Sequence, residues 1–171
     1  MTTSGTGQLR YELVEGWGQL PDGWEWGQVG GVAVDSQDRV HVFTRTEHPL
    51  MVFDREGKFL HSWGEDIFKD AHGICIGPDD SIYLVDRVPQ VAMKFTHDGQ
   101  LLFTMGNRDQ HSDTGYTDEN RTVLYAGPPF HHPTDATLSP QGEIYISDGY
   151  RNSRVHTFSA DGQLLSSWGE P

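Results

Sequence analysis

The sequence predicts an all-β protein, because glycine is frequent, turn signals recur, and one pattern of four short β-like runs occurs three times. Glycine contributes 20 of the 171 residues, which suits short strands joined by many turns. Polar turns such as SQDR, PDDS, HDGQ and ADGQ separate runs of β-branched and aromatic residues. Asp-Gly is a strong hairpin signal, so we expect neighbouring runs to pair as antiparallel strands.

The three repeats occupy residues 32–64, 74–106 and 136–169. Four antiparallel strands in a unit of about 40 residues is the pattern of one β-propeller blade. A single four-stranded sheet cannot cover both of its faces, whereas blades arranged around an axis cover one another. The sequence therefore predicts a partial β-propeller of about three blades.

The N-terminal segment YELVEGWGQLP is similar to the ends of the first and third repeats, FLHSWGED and LLSSWGEP. We therefore expect an extra outer strand at residues 9–18. Each repeat already contains an outer strand, and three blades are too few to close a ring, because four to eight are typical. These features predict half of a longer propeller, with a ring of two chains as an alternative that the extra strand fits poorly. The uncovered faces of the first and third blades should then make the isolated chain self-associate.

The expected organisation is one partial propeller over residues 1–171. Its expected parts are an outer strand at 9–18, blades at 28–64, 70–106 and 130–169, and a long loop at 107–129.

The charge of the chain limits its partners. Asp and Glu number 25 against 12 Lys and Arg, and the formal net charge is -13. Nucleic acids and anionic membranes both require a positive field, so neither is expected as a partner. The chain has no apolar run of membrane-spanning length, and its N-terminus lacks the apolar centre of a secretory signal. We expect a cytoplasmic protein, with secretion as the alternative if the sequence is truncated.

Cysteine and histidine give few signals of chemistry. Cys75 is the only cysteine, which excludes an intramolecular disulfide, and its strand-like setting predicts a small core residue. Of the adjacent pair His131–His132, one is expected to be structural, because consecutive strand residues point to opposite faces.

The repeat register places several residues at one mouth of the expected central channel. Val32 and Ile74 are expected to open the innermost strands of their blades, where backbone carbonyls can face an axial ion. His72 lies two residues before Ile74 and is a candidate metal ligand, although a lone histidine more often has a structural role. Arg45 and Arg87 follow the second strands of their blades, at the same mouth.

The third repeat carries unusual residues at the corresponding turn. Asp148-Gly149 should form a turn with an Asx hydrogen bond and a left-handed glycine. Such a turn does not explain Tyr150 or Arg154, because the other repeats have different residues at these places. Tyr150 is therefore a candidate for facing a site, and Arg154 is a candidate substrate-binding residue.

The segment FHHPTDATLSPQGEIYISDGYRNSRVHTFSADGQLLSSWGEP resembles a blade of the peptidyl-α-hydroxyglycine α-amidating lyases, which are six-bladed propellers of the NHL-repeat group. The similarity extends back through AHGICIGPDDSIYLVD and GGVAVDSQDRVHVFTR. Its most specific part is SDGYRNSR with PTD upstream. The resemblance implies that this chain corresponds to the N-terminal half of such a propeller. Eukaryotic members have cysteines where this chain has His131 and Arg151, and the missing disulfide is consistent with a bacterial, cytosolic type.

The resemblance also implies a zinc ion held by three histidines in the channel and a structural calcium ion held by backbone carbonyls and an aspartate. By position, His72 is similar to the first zinc ligand, and Val32 and Ile74 to the calcium-binding carbonyls. Tyr150 is similar to the catalytic tyrosine, and Arg45 to the arginine on the substrate side. The remaining ligands of both metals, and another active-site arginine, belong to later blades that this sequence does not contain.

Two function hypotheses follow. The first is a zinc-dependent carbon–nitrogen lyase, incomplete in this chain, that cleaves a small-molecule or peptide substrate into an amide and glyoxylate. The alternative is a non-catalytic NHL-repeat module that binds a protein or a small ligand. A calcium-dependent lactone hydrolase on a similar propeller is a third, weaker option, because its usual acidic metal ligands are not evident.

Overall fold

The computed structural model describes residues 3–171, which form β-strands and no helix. The prediction of an all-β fold is confirmed. Within that range, no helix is present that could cross a membrane. The strands are β1 (Thr3–Thr6), β2 (Leu9–Glu12), β3 (Val29–Val34), β4 (Val40–Thr44), β5 (Leu50–Phe53), β6 (Phe59–Trp63), β7 (Ala71–Ile76), β8 (Ile82–Asp86), β9 (Val91–Phe95), β10 (Leu101–Met105), β11 (Asp135–Leu138), β12 (Ile144–Asp148), β13 (Arg154–Phe158) and β14 (Leu164–Trp168).

Three four-stranded antiparallel sheets form the blades. Blade 1 is β3-β4-β5-β6, blade 2 is β7-β8-β9-β10, and blade 3 is β11-β12-β13-β14. In each blade the strands are neighbours in chain order, as the repeat predicted. The long connection between β10 and β11 contains no strand.

The turn between the third and fourth strands is the same in all blades. In blade 2, the backbone N–H of Thr96 donates to the carbonyl of Gln100 at 2.8 Å, which closes a three-residue loop. Gly99 in this loop has a φ of 82°, and Gly57 and Gly162 have values of 85° and 84°. A left-handed glycine at the end of a three-residue hairpin loop continues the strand with a bulge. The glycine in each of these turns is therefore required by the backbone.

The same glycines let an aromatic ring lie on the turn. A Cβ built on Gly99 would lie 3.2 Å from Trp63, and one built on Gly162 would lie 2.7 Å from Phe103. Trp63 and Phe103 belong to β6 and β10, the outer strands of the preceding blades. Each blade thus places an outer-strand aromatic ring against the turn of the next blade.

Trp17 has the corresponding position on blade 1. A Cβ built on Gly57 would lie 3.0 Å from its ring, and its Nε1 donates to the carbonyl of Arg55 at 3.0 Å. The preceding strand β2 pairs only with β1, as a two-stranded hairpin, so the segment 9–18 is not a strand of any blade in the described chain. Its expected place in a further blade stays a prediction.

The core consists of apolar layers between adjacent blades. Phe43, Leu84 and Phe95 are buried between blades 1 and 2. A second layer, between blades 2 and 3, contains buried side chains of both blades, and Cys75 packs against it while partly buried. On blade 1, N-terminal side chains pack against the buried residues Met51 and Phe53, whereas Val32 is 56% exposed, and on blade 3 Trp168 is 57% exposed. Self-association through the faces of the first and third blades stays a prediction.

Replacing Gly99 with Ala should lower the free energy of unfolding by about 1–2 kcal/mol, because left-handed backbone is strained for a residue with a Cβ. The added Cβ would also press on Trp63. The matched control is Gly149→Ala, since a Cβ built there meets no atom within 4 Å. We expect the control to change the unfolding free energy by less than about 0.5 kcal/mol. Urea unfolding followed by tryptophan fluorescence measures both. Equal losses in the two variants would contradict this packing.

Candidate functional site

The innermost strands β3, β7 and β11 lie side by side and enclose a cleft. Its volume is about 370 Å³. A Cβ on Gly30 would lie 2.5 Å from the carbonyl oxygen of Ala71, and one on Gly73 would lie 2.5 Å from that of Thr134. Only glycine permits this approach, so the wall of the cleft is largely backbone. The cleft is lined by Gly30, Gly31, Val32, His72, Gly73, Ile74, Thr134 and Asp135.

A β-bulge orients His72. The register of β7 on β8 shifts between Ala71 and Gly73, which makes His72 the extra residue of the bulge. Blade 1 has the same shift around Gly30. Bulges change the direction of a side chain and are frequent next to active sites.

The bulges also correct the expected strand starts. Val32 and Ile74 were expected to open their strands, but β3 begins at Val29 and β7 at Ala71. The bulge lets each of these strands pair with its neighbour for several residues before the expected start. Both residues still line the cleft, in the interior of their strands.

The ring of His72 is held in one tautomer. Its Nδ1 lies 2.9 Å from the carbonyl oxygen of Thr134. A carbonyl can only accept a hydrogen bond, so Nδ1 carries the proton and Nε2 keeps its lone pair. Burial lowers the pKa of His72, and the guanidinium groups of Arg87 and Arg45 lower it further. A neutral imidazole with a free Nε2 is the form that binds a metal ion.

Tyr150 lies next to His72, although the two are far apart in sequence. The ring centroids are 5.7 Å apart, at an interplanar angle of 73°. The guanidinium carbon of Arg87 is 5.5 Å from the centroid of the Tyr150 ring, in a cation–π contact. Tyr150 is 55% exposed, so solutes can reach it. The structure therefore brings together the predicted tyrosine and the predicted histidine.

Arg45 joins the same site through Asp70. Its Nε lies 2.6 Å from Asp70 Oδ1, and the Nε of Arg87 lies 2.5 Å from Asp70 Oδ2. The Arg45 Nε–H also donates to the carbonyl of Ala71 at 3.0 Å. Sequence reasoning missed Asp70, and its only signal was an acidic residue directly before the AHG segment. Arg45, Asp70 and Arg87 are called the charged cluster below.

Arg154 does not take part in these contacts. Its Nη1 donates to the carbonyl of Gly169 at 2.7 Å, just beyond the end of the outer strand β14. Its substrate-binding role stays a prediction that these contacts do not support.

Asp148 has a different role from the one its sequence predicted. Gly149 is not among the residues with left-handed backbone, whereas Ser153 has a φ of 56°. The buried carboxylate of Asp148 accepts from the backbone N–H of His131 at 2.9 Å and from Asn152 Nδ2 at 2.7 Å. It therefore ties the segment that leads into blade 3 to the end of β12. The expected Asx turn with a left-handed glycine is wrong, because the aspartate bonds backward to an earlier segment.

Asp86 has the equivalent role in blade 2. Its carboxylate accepts from the backbone N–H groups of Lys69 at 2.9 Å and of Asp70 at 2.7 Å. Burial raises the pKa of Asp86. The same device thus fixes the backbone of Asp70, which carries the charged cluster.

The two adjacent histidines differ in environment. His131 is buried, its ring stacks on His111 at 4.3 Å, and its Nδ1 lies 3.0 Å from Thr114 Oγ1. Burial, with His111 nearby, lowers the pKa of His131 to about 4. His132 is half-buried, and its pKa is lowered by burial first and then by Arg151 and Arg87. His131 is therefore structural, but the expected reason is wrong, because neither histidine lies in a strand and β11 begins only at Asp135.

The fit to a metal ion is partial. Among residues 3–171, no three His, Cys, Asp or Glu side chains are arranged to hold a metal ion together. His72 fits as one ligand, through Nε2. The roles of Val32 and Ile74 as calcium-binding carbonyls stay predictions.

Comparison with known proteins supports the resemblance seen in the sequence. An NHL repeat family model matches residues 130–158. The chain is 27% identical over 173 residues to a peptidyl-glycine alpha-amidating monooxygenase of Mus musculus, covering 84% of this chain and 16% of that protein. It is 28% identical over 188 residues to peptidyl-alpha-hydroxyglycine alpha-amidating lyase 2 of Drosophila melanogaster, covering 93% of this chain and 42% of that protein. The predicted similarity to NHL-type amidating lyases is confirmed, and the chain spans less than half the length of these relatives.

Solved structures show the same fold. A catalytically inactive virginiamycin B lyase from Staphylococcus aureus with quinupristin has a TM-score of 0.58 at 13% identity, covering 85% of this chain and 42% of that one. The WD40 repeats of RRP9 have a TM-score of 0.60 at 9% identity, covering 85% and 40%. At such identities the similarity shows the fold alone, and the prediction of a partial β-propeller is confirmed.

The free energy of unfolding should fall as the pH is lowered from about 6.5 to about 4, because His131 resists protonation only in the folded state. Its folded pKa of about 4 lies below the unfolded value. Between these two pKa values the unfolded chain binds more protons than the folded protein. The stability that neutral His131 contributes is therefore complete above the unfolded pKa, and it is lost as the pH falls through the folded pKa. The loss is on the order of 3 kcal/mol.

Urea unfolding between pH 7 and pH 4.5 tests this for the unmodified protein and for His131→Asn. The difference in unfolding free energy between these two proteins should shrink as the pH falls. His48→Asn, at a partly exposed histidine, is the control and should keep the full pH dependence. An undiminished dependence in His131→Asn would disprove the role of this residue.

Proposed function

We propose that this chain supplies part of the active site of a carbon–nitrogen lyase that converts an α-hydroxyglycine-type substrate into an amide and glyoxylate. The observation that carries the proposal is the meeting of Tyr150, His72 and Arg87 beside the cleft between the first strands. His72 and Arg87 belong to blade 2 and Tyr150 belongs to blade 3, in a chain similar to hydroxyglycine amidating lyases. We further propose that the substrate is a small molecule or a peptide. We also propose that the protein is bacterial and cytoplasmic.

Tyr150 is the proton acceptor in this proposal. As the phenolate, its Oη takes the proton of the substrate hydroxyl. The electron pair of that O–H bond becomes the carbonyl of glyoxylate, the C–N bond breaks, and the amide nitrogen leaves with the proton returned by Oη. The guanidinium carbon of Arg87 lies 5.5 Å from the centroid of the Tyr150 ring, which places a positive charge next to this side chain. Proton transfer by a positioned side chain is the contribution that Tyr150 makes in this proposal.

Arg45 stabilises negative charge on the substrate side. Its guanidinium is fixed by Asp70 and by the carbonyl of Ala71, so little reorganisation is needed when charge develops. Preorganised donors of this kind often contribute the largest share of catalysis.

Metal chemistry enters the proposal through His72. With Nδ1–H bonded to Thr134, its Nε2 would hold zinc, and Val32 and Ile74 would give carbonyl ligands to a structural calcium ion. A zinc ion, when bound, supplies Lewis-acid stabilisation of the substrate oxygen.

A non-catalytic NHL module that binds a protein or small ligand is the second candidate function. Two observations favour it. The family model matches only residues 130–158, and the described part of the chain contains no complete set of metal ligands. Substrate turnover discriminates between the two functions.

In a complete propeller that contains this chain together with the later blades, Tyr150→Phe should lower kcat by about 10²–10⁴-fold and leave the zinc content unchanged, because it removes only proton transfer. His72→Ala should lower both zinc content and turnover. The matched control is Tyr125→Phe, which removes the hydroxyl of an exposed loop tyrosine bonded to Asp113. We expect it to keep full activity.

The measurements are glyoxylate release from an α-hydroxyglycine peptide and zinc content by elemental analysis. A fully active Tyr150→Phe would contradict the catalytic role of this residue. No glyoxylate release from the unmodified complete propeller would favour the binding module.

A further inference from the structure

Two guanidinium groups share one carboxylate in the charged cluster. Asp70 is 7% exposed, and each of its oxygens faces one Nε, from Arg45 on one side and Arg87 on the other. Pairing through Nε leaves the terminal nitrogens of both arginines for other partners. Arg45 uses Nη1 for Gln28 Oε1 at 2.9 Å. The only hydrogen bond of the Arg87 side chain to an atom in residues 3–171 is the one to Asp70, which leaves both of its Nη groups available.

The free nitrogens of Arg87 lie at the site. Its guanidinium rests beside the Tyr150 ring and is close enough to His72 to lower the pKa of that ring. The side chains of Arg87 and Arg45 are 27% and 28% exposed. A partly sheltered guanidinium binds a carboxylate with two parallel hydrogen bonds more strongly than a fully solvated one.

The charge of the cluster favours an anion. Two guanidinium groups and one carboxylate leave one surplus positive charge, in a protein whose formal net charge is -13. Two other acidic side chains lie nearby. Asp86 is buried with a raised pKa, and Asp135 lines the neighbouring cleft with its Oδ1 bonded to the N–H of Ala136. A bound carboxylate would neutralise the surplus charge.

We propose that Arg87 is a specificity residue that binds, together with Arg45, the carboxylate of the ligand, and that Asp70 positions both guanidinium groups. The proposal deepens the proposed function and rests on it, because hydroxyglycine substrates and glyoxylate both carry this carboxylate. The ligand class is a compound with a free carboxylate, either a small carboxylic acid or the C-terminus of a peptide.

A purely structural role for Arg87 makes different predictions. If Arg87 only held Asp70 in place, its loss would weaken the fold and affect charged and neutral ligands alike. If surplus charge alone attracted anions, Asp70→Asn would raise carboxylate affinity, because it removes a negative charge. If Asp70 positions the arginines, the same substitution lowers the affinity.

The test is a ligand titration of the isotope-labelled protein, followed by the NMR signals of the arginine Nε–H groups. The probes are acetate against acetamide, and a glycine-terminated tripeptide with a free carboxylate against the same peptide as its amide. The proteins are the unmodified chain, Arg87→Gln, Asp70→Asn and Arg55→Gln. Arg55 is the matched control, because it is an exposed arginine with an aspartate partner, Asp38, at 3.4 Å.

We expect Arg87→Gln to weaken carboxylate binding by about ten- to hundredfold without changing binding of the amides. Asp70→Asn should weaken it as well, and Arg55→Gln should match the unmodified protein. Tighter binding of acetate than of the tripeptide identifies a small acid as the ligand, and the reverse identifies a peptide C-terminus. Unchanged carboxylate affinity in Arg87→Gln, an equal loss in Arg55→Gln, or no preference for carboxylates in the unmodified protein would overturn the proposal.

Failure of this inference can be told apart from failure of the proposed function. Glyoxylate release whose KM does not depend on Arg87 would keep the lyase and reject the carboxylate site. Carboxylate binding that depends on Arg87, without any glyoxylate release from the complete propeller, would keep the site and reject the lyase.

Discussion

The close approach of the innermost strands is the constraint on which the site depends. A side chain at Gly30 would collide with the carbonyl oxygen of Ala71 in β7, and one at Gly73 with that of Thr134 directly before β11, at 2.5 Å in both cases. Glycine therefore brings β3, β7 and β11 together and exposes their backbone to the cleft. The bulge at His72 then directs one imidazole to the carbonyl of Thr134 in the adjacent blade. The packing of one blade on the next and the orientation of the candidate ligand thus have the same cause.

The hydrogen bonds that end the second strands connect the fold to the charged cluster. Asp86, at the end of β8, holds the backbone N–H of Asp70, and Asp70 holds two guanidinium groups. Asp148 fixes the start of blade 3 in the same way. Each of these carboxylates is buried, where an unpaired charge would be costly, so each must keep its donors. The positions of Arg45 and Arg87 follow from this chain of bonds.

The blades and part of the site could be predicted from the sequence, because both follow the repeat. Periodic runs and Asp-Gly turns indicated the strands, and register placed His72, Arg45 and Tyr150 at one mouth. Contacts that break the repeat could not be predicted. The bulge at His72 changes no residue pattern, and Arg45 reaches Asp70 only after blades 1 and 2 have packed. The backward bond of Asp148 was invisible for the same reason, since its partner lies in the segment after the long loop.

The central claim is that His72 is a neutral ring with its Nδ1–H fixed on Thr134 and its Nε2 free in the cleft. The most direct test is a long-range ¹H–¹⁵N NMR spectrum of the histidine-labelled protein at pH 7, with the His72 signals assigned by His72→Gln. We expect a protonated Nδ1 and an unprotonated Nε2 for this ring. A proton on Nε2, or a doubly protonated ring, would contradict it.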